Sequence, residues 1–526
     1  MSGALVPLGA WVAKTRWADI PPTARRAARI EIADLVAAVF ASARAPEISA
    51  LLDNLALGAG PSTVLPTGAR LPPAAAAFVN CAFAMAQDFD DIIWMGHTGH
   101  SAVFASLAVA QAEGSTSQEL ITACVIANEI AGRLGASSFL GPLNGQMWTF
   151  IHLVGAAAAT ASLLKLDADR AAHALAIALA QPPFALQPAF FGPTSKLLAA
   201  SVPTQIGVQA AYLARAGMTG ALDILEDRRG FWKVFTFQPL PEMLGGLGEL
   251  WAIQTLTLKT SPACHYFQTA CEAIERIFAQ RRPTSIDQVR RVLVETNKLG
   301  DEVVRFAREY AGEAAPDLSP VGVSFDLGLG MAIELVAGRM TGAEAEPAWL
   351  AANAEALRAW HGKITVAHDP ALTMRIVDGA RAIPAGRAAI ASLGIGDWLK
   401  LAGRYREHYG SSLLRSGDLG RWASVALDRW RHPADGAATG DGPLPLYFPN
   451  RVTIEFADGQ TLVEQVDLPS GSLAAPTIDG VLRAKFLREC GPALGEVGAA
   501  QALATLLDAE ATTVPALVAT IMGRPA

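Results

Sequence analysis

The chain has 526 residues, 51% hydrophobic and 17% charged, enough to bury a large core and more than one domain usually holds, so two domains are expected. A net charge of −7 without any basic cluster offers no broad attraction for nucleic acid or an anionic membrane surface, and neither is an expected partner. The five cysteines, Cys81, Cys124, Cys264, Cys271 and Cys490, are scattered and form no C-x-x-C pair, which favours a reducing, cytoplasmic setting and argues against a zinc ribbon or iron–sulfur cluster.

The N-terminal Met-Ser-Gly-Ala-Leu-Val-Pro lacks a basic region followed by a long apolar run, so no secretory signal is expected. Thr23 to Ala43, Ser101 to Glu113, Ser117 to Leu134 and Val202 to Ala216 are long and rich in helix formers, predicting a mainly helical first half. Turn punctuation falls at Gly141, Gly192 and Arg228. Ile151 to Leu164 is too short to span a membrane, and Ala174 to Phe191 is interrupted by Pro182, Pro183 and Pro188. Their Ala and Gly content predicts closely packed helices instead. After a predicted helix over Phe267 to Gln280, the β-branched segments Val289 to Thr296, Lys363 to Ala367 and Arg451 to Ala457 read as strands. Val321 to Gly338 and Pro347 to Ala359 read as helices between them, giving a smaller α+β unit. The tail from Gly480 to Met522 is predicted helical, and the Gly/Ala/Asp-rich Pro433 to Gly442 is predicted to be an exposed loop.

The densest polar cluster is Asp88-Phe89-Asp90-Asp91, then Trp94, then His97-Thr98-Gly99-His100. His100 is placed just before a helix that Ser101 caps, where the helix dipole favours an anion. Oriented by a carboxylate such as Asp88, it could move a proton on a carboxylate-bearing substrate. The bland alternative is helix capping and loop hydrogen bonding. A second alternative is metal binding by Asp and His, which ranks lower because His97 and His100 fall on a Gly-containing loop without an H-E-x-x-H motif. Lys196 and Lys259 lie among apolar and small residues, where a partly buried ammonium needs a counter-charge, from a substrate carboxylate or by snorkelling to water. His265 is a second acid/base candidate; taken alone it is more often structural, as Cys264 is more often a small buried residue than a nucleophile.

Taken in order, Met85 to Asp91, Ala123 to Gly135, Gly155 to Ala159, Leu225 to Phe231, Lys259 to His265, Lys363 to Pro370, Asp458-Gly459 and Pro469 to Ser472 resemble the MmgE/PrpD family, which includes 2-methylcitrate dehydratase. The resemblance implies a mainly α fold: a large all-helical domain from both chain ends, residues 1–262 and 476–526, and a smaller α+β lid over 263–475 carrying an extra helical insertion at about 374–450. It implies a homodimer that acts on a small molecule without metal or organic cofactor. Family reactions move protons beside a carboxylate: dehydration, decarboxylation or epimerisation. Asp88, His100, Lys196, Lys259 and His265 correspond to the family's catalytic positions, with Asp91, Trp94, His97, Gln146, His152 and Cys264 around the substrate. The two lysines would hold carboxylates and stabilise developing negative charge, and the histidines would share acid and base duties in an order left open.

Where the family usually has a histidine the chain has Gln146, and the histidine and arginine after the pocket lysine are Ala199 and Val202. Trp94 and Met95 add apolar bulk. Fewer cationic and donor groups bind fewer carboxylates, so the expected substrate is less acidic and more hydrophobic than 2-methylcitrate. The expected reaction is that of a lyase of the dehydratase or hydratase type. An isomerase, an epimerase or a decarboxylase on the same fold is the alternative, and a metal-dependent hydrolase or a non-catalytic binding protein ranks below. The insertion, with Trp398, Tyr405, Tyr409, Trp422 and Trp430, reads as a helical elaboration on the surface, with an aromatic pocket wall as the functional alternative.

Overall fold

The computed structural model describes residues 3–94, 96–142, 149–184, 186–311, 318–409 and 442–524. Gln146, Met95, Trp422, Trp430 and most of the predicted 433–442 loop lie outside the described residues.

The fold is mainly α. Local signals start and stop its helices. Proline occupies the first turn of Pro22–Ala41 and Pro73–Met85, where its missing N–H is no loss. Thr116 and Glu119 form a reciprocal capping box at the start of Ser117–Ser137. Gly114, at φ 67°, ends Gly99–Glu113, a left-handed conformation that side chains resist. Small residues then let these helices approach. A Cβ on Gly207 would lie 2.3 Å from the Leu153 carbonyl, so Leu198–Arg215 and Ile151–Leu163 pack nearly backbone to backbone.

One apolar core runs through the helices before residue 258 and takes in residues 473–521 of the other chain end. There Ile478–Leu507 packs along Pro22–Ala41 and bends at Gly495, after Pro492. Among the described residues, no single helix is long and apolar enough to cross a membrane.

A second core is built mostly from residues 263–466. Its four strands lie in the order Ile364–His368, Val289–Thr296, Asn450–Phe456, Thr461–Val466; the first pair is parallel and the others antiparallel. Val292, Val294, Val452, Ile454 and Phe456 are buried, on the side of the sheet packed by Gln268–Gln280 and Leu327–Ala337.

Two expected helices are broken. Val321 to Gly338 is interrupted at Asp326, whose carboxylate accepts from Leu329 N at 3.2 Å and so restarts the helix as Leu327–Ala337. Pro347 to Ala359 is split at Asn353. In the insertion, the described helices are Pro370–Ala382, Pro384–Ser392 and Ile395–Tyr409. Tyr405 packs edge-on to Phe237 at 5.0 Å, and Trp398 is half exposed.

Candidate active site

The segment leaving Pro73–Met85 makes a tight turn, with Asp88 N donating to Met85 O, and sets Asp88 at φ 52°. A non-glycine residue in the left-handed region is strained and is held there by its surroundings. Asp91 and Ile92 then pair antiparallel with Leu258 and Thr257, which delivers Lys259 to the turn. Lys196 arrives from the short Thr194–Leu197 turn ahead of Leu198–Arg215.

Both lysines converge on Asp88. Lys196 Nζ donates to Asp88 Oδ1 at 2.7 Å. Lys259 Nζ donates to Asp88 Oδ2 and to the Asp88 carbonyl at 2.7 Å each, and to Asp90 Oδ1 at 2.6 Å. All four side chains are buried to 1% exposure or less. Burial alone would raise both carboxyls, but the ammoniums outweigh it. Lys196 and Lys259 leave Asp88 below its ordinary value; Lys259, His97 and His100 hold Asp90 well below. Burial opposes charge on Lys259 too, yet Asp88 and Asp90 keep its ammonium above the usual lysine range.

The other Asp90 oxygen faces the histidines. Asp90 Oδ2 is 2.7 Å from His97 Nδ1 and 3.6 Å from His100 Nδ1. Asp90, not Asp88, therefore orients the His97 imidazole, because Asp88 is spent on the two lysines; His100 Nδ1 is directed at the His97 carbonyl at 3.4 Å. His100 is also not ahead of its helix: Gly99–Glu113 has begun, Thr98 stands at the cap position, and the Ser101 hydroxyl donates backwards to Thr98 O. The expected Ser101 cap is thus absent. His100 stands edge-on to His152 with ring centres 5.7 Å apart, and His152 Nδ1 is 3.0 Å from the Ser101 hydroxyl.

His265 opens the turn before Gln268–Gln280 and lies edge-on to His97 at 6.5 Å. Both its ring nitrogens are buried without a hydrogen-bond partner, as is His100 Nε2. Burial favours the neutral imidazole at all three rings. Against the pull of Asp90 it lowers His97, takes His100 down to about 4 and, with Lys259 and His97 adding repulsion, puts His265 well below its ordinary value. Burial pushes the Cys264 thiol up to about 12, assisted by Asp88, so it is protonated and a poor nucleophile.

Asp91 and Trp94 point elsewhere. Burial and the neighbouring Asp90 raise the Asp91 carboxyl well above its ordinary range; burial and Asp91 do the same to Glu31 on Pro22–Ala41. The two carboxyls are hydrogen-bonded to each other, as expected for an acid pair sharing a proton. Trp94, at φ 53°, packs under the Arg133 guanidinium at 5.2 Å and beside Gly132. Ala199 is buried in the second core, and Val202 packs against the first.

Lys259 Nζ occupies the place between Asp88 and Asp90 that a cation would take. Among the described residues no group of three or more His, Cys, Asp or Glu side chains is placed to hold a metal. An open cleft of about 770 Å³ between Trp232, Phe237 and Arg404 includes none of these groups; the buried chemistry, not the cleft, locates the candidate site.

Sequence reasoning placed Asp90 in the cluster without a role, and missed Lys485 and Asp34. Lys485 Nζ donates to Asp34 Oδ1 at 2.7 Å and to the Phe89 carbonyl at 2.6 Å. Its signal was a lysine in the buried stripe of Ile478, Leu482 and Phe486.

The mainly helical fold thus encloses a buried, charge-paired cluster of aspartates and lysines beside histidines whose burial favours the neutral ring. Residues 6–243 match the MmgE/PrpD N-terminal domain, so this part of the chain is similar to the N-terminal domain of the MmgE/PrpD family. It is 29% identical over 303 residues to a cis-aconitate decarboxylase of Aspergillus terreus (53% of this chain, 61% of that one). It is 27% identical over 243 residues to the cis-aconitate decarboxylase of Homo sapiens (43% and 49%), and 25% identical over 370 residues to a cis-aconitate decarboxylase-like protein of Aspergillus oryzae (64% and 74%). The match spans 61% of the length of the Aspergillus terreus relative and 49% of the human one.

Proposed function

We propose that the chain is a lyase that moves a proton on the carbon next to a substrate carboxylate, with Asp88, Asp90, His97, His100, Lys196, Lys259 and His265 as its machinery. The observation that carries this reading is the convergence of Lys196 and Lys259 on Asp88 beside His265, a buried imidazole with both nitrogens unpartnered. An ammonium has three hydrogens to give. Lys259 gives its own to the Asp88 carbonyl, Asp88 Oδ2 and Asp90 Oδ1. Lys196 makes one short bond to Asp88 and one of 3.4 Å to Met85 O, which leaves it capacity for one strong acceptor. One anchored carboxylate fits a substrate less acidic than 2-methylcitrate.

In an elimination, a neutral imidazole takes the proton from the carbon and the electron pair forms the C=C bond. The hydroxyl then leaves as water with a proton returned from the histidine cluster, so the protein ends as it began. Charge developing on the carboxylate is stabilised by the buried ammoniums, whose effect is larger in a water-excluded site. Decarboxylation is the second reading, favoured by the names of the relatives: the C–C bond breaks, carbon dioxide leaves, and the carbanion takes a proton from a histidine that has first taken one up from solvent.

The test is to incubate the protein in deuterium oxide with cis-aconitate, 2-methylcitrate and apolar-tailed monocarboxylic acids, with and without chelator, and follow substrates by NMR. Expected is turnover or deuterium incorporation with a monocarboxylic acid, insensitive to chelator and abolished in His265→Ala. Efficient turnover of a tricarboxylate would remove the substrate reading. Chelator sensitivity would favour a metal-dependent hydrolase, and inertness toward every acid a binding protein.

A further inference from the structure

Lys485 is the third buried ammonium directed at the 85–90 turn, and nothing in the chemistry above uses it. It is 1% exposed, lies on Ile478–Leu507 at the far end of the chain, and its Nζ sits 4.1 Å from the centre of the Phe89 ring. Its hydrogen bond ends on the Phe89 carbonyl, in the peptide that joins Phe89 to Asp90. Lys259 holds the preceding carbonyl, that of Asp88. Two successive carbonyls that follow the strained Asp88 Cα are thus fixed by two separate lysines. Asp34, from Pro22–Ala41, keeps Lys485 in place with one oxygen, and its second oxygen has no partner.

We propose that Lys485, with Asp34, is a positioning pair for the reacting segment: by fixing the Phe89 carbonyl it sets the direction of the Asp90 carboxylate and so keeps the His97 proton on Nδ1. The geometry gives the reason. Asp90 must serve Lys259 with Oδ1 and His97 with Oδ2 at 2.6 and 2.7 Å. Rotation of the 89–90 peptide would lengthen one of these bonds, and hydrogen bonds weaken steeply with misalignment. If Lys485 only tied the C-terminal helix to the core, its loss would lower stability and leave the imidazole unchanged.

The inference rests on the 88–100 segment being the reacting site, but its test needs no substrate. In uniformly ¹⁵N-histidine-labelled protein, the two ring-nitrogen shifts of His97 report which nitrogen carries the proton. Wild type is expected to show His97 with its proton on Nδ1 near pH 7. Lys485→Met, checked for folding by circular dichroism, is expected to shift His97 to a mixture of tautomers. Asp34→Asn, close in volume, frees Lys485 from its carboxylate and is expected to shift His97 the same way by less; it decides the matter if Lys485→Met does not fold. Wild-type His97 nitrogen shifts in either folded variant overturn the proposal. Absence of turnover with any acid would sink the reading of the segment as a reacting site, while these shifts would still be measured.

Discussion

Lys259 Nζ lies 2.6 Å from Asp90 Oδ1, with both side chains wholly buried. Removing one member of a buried ion pair leaves an unpaired charge and typically costs about 3–5 kcal/mol. Here Lys259→Met would take a cation from two carboxylates, leaving Asp90 with no ammonium and Asp88 with one. The expected result is a stability loss at or above the upper end of that range, read from urea unfolding near pH 7. Asp88 keeps Lys196 as a second partner. A loss of under about 1 kcal/mol, the worth of an exposed pair, would mean that water reaches the pair.

Gly99 is fixed by its neighbour. A Cβ there would meet Asp91 Oδ1 at 2.4 Å and Oδ2 at 2.8 Å, distances no side chain tolerates. Gly99→Ala is expected to destabilise by about 1–3 kcal/mol, the usual cost of overpacking. Shortening the obstacle should relieve the clash, so Gly99→Ala with Asp91→Ala is expected to be more stable than the two single losses added together. Simple additivity would place the strain somewhere other than this contact.

What was readable in the sequence follows from how local each signal is. Val289–Thr296 and the start of Ser117–Ser137 have the predicted bounds because a β-branched run and a run of helix formers are written in adjacent residues. Thr461–Val466 was missed as a strand. It is an edge strand with only Val466 buried, so it carries little apolar alternation. The chemistry-bearing residues at the 88–100 segment were visible as a polar cluster, but their partners were not. Which carboxylate meets the lysines depends on the positive φ of Asp88, and the Lys485 contact joins residues 396 apart.

The thiols permit a simple check of closure. All five cysteines are free and buried, and burial lifts Cys264 and Cys81 to about 12. Because only thiolates react, native protein at pH 8 is expected to resist iodoacetamide over times that fully alkylate it in denaturant. Mass spectrometry of the native sample should show no carbamidomethyl group on Cys264. Rapid labelling there would mean that the site opens to solvent on the reaction timescale.

Acid should unfold the protein through its histidines. His97, His100 and His265 are lowered in the folded state, His100 to about 4, with burial the largest cause at each. A group whose folded pKa lies below its unfolded value binds fewer protons when folded, so acid favours the unfolded chain. For His100 the stabilising contribution is complete above about pH 6.5 and is lost as pH falls toward about 4, a change of about 3 kcal/mol. Asp34 works the other way. Burial raises it to about 6 against the pull of Lys485; its folded form binds the extra proton, so it gains stability on acidification below that value and partly masks the histidines. The difference between variants separates the two. Urea midpoints across pH 4 to 7 are expected to fall more gently for His100→Gln than for wild type, and more steeply for Asp34→Asn. Parallel curves for His100→Gln and wild type would mean that His100 has the same proton affinity folded and unfolded, which a wholly buried imidazole with Nε2 unpartnered does not allow.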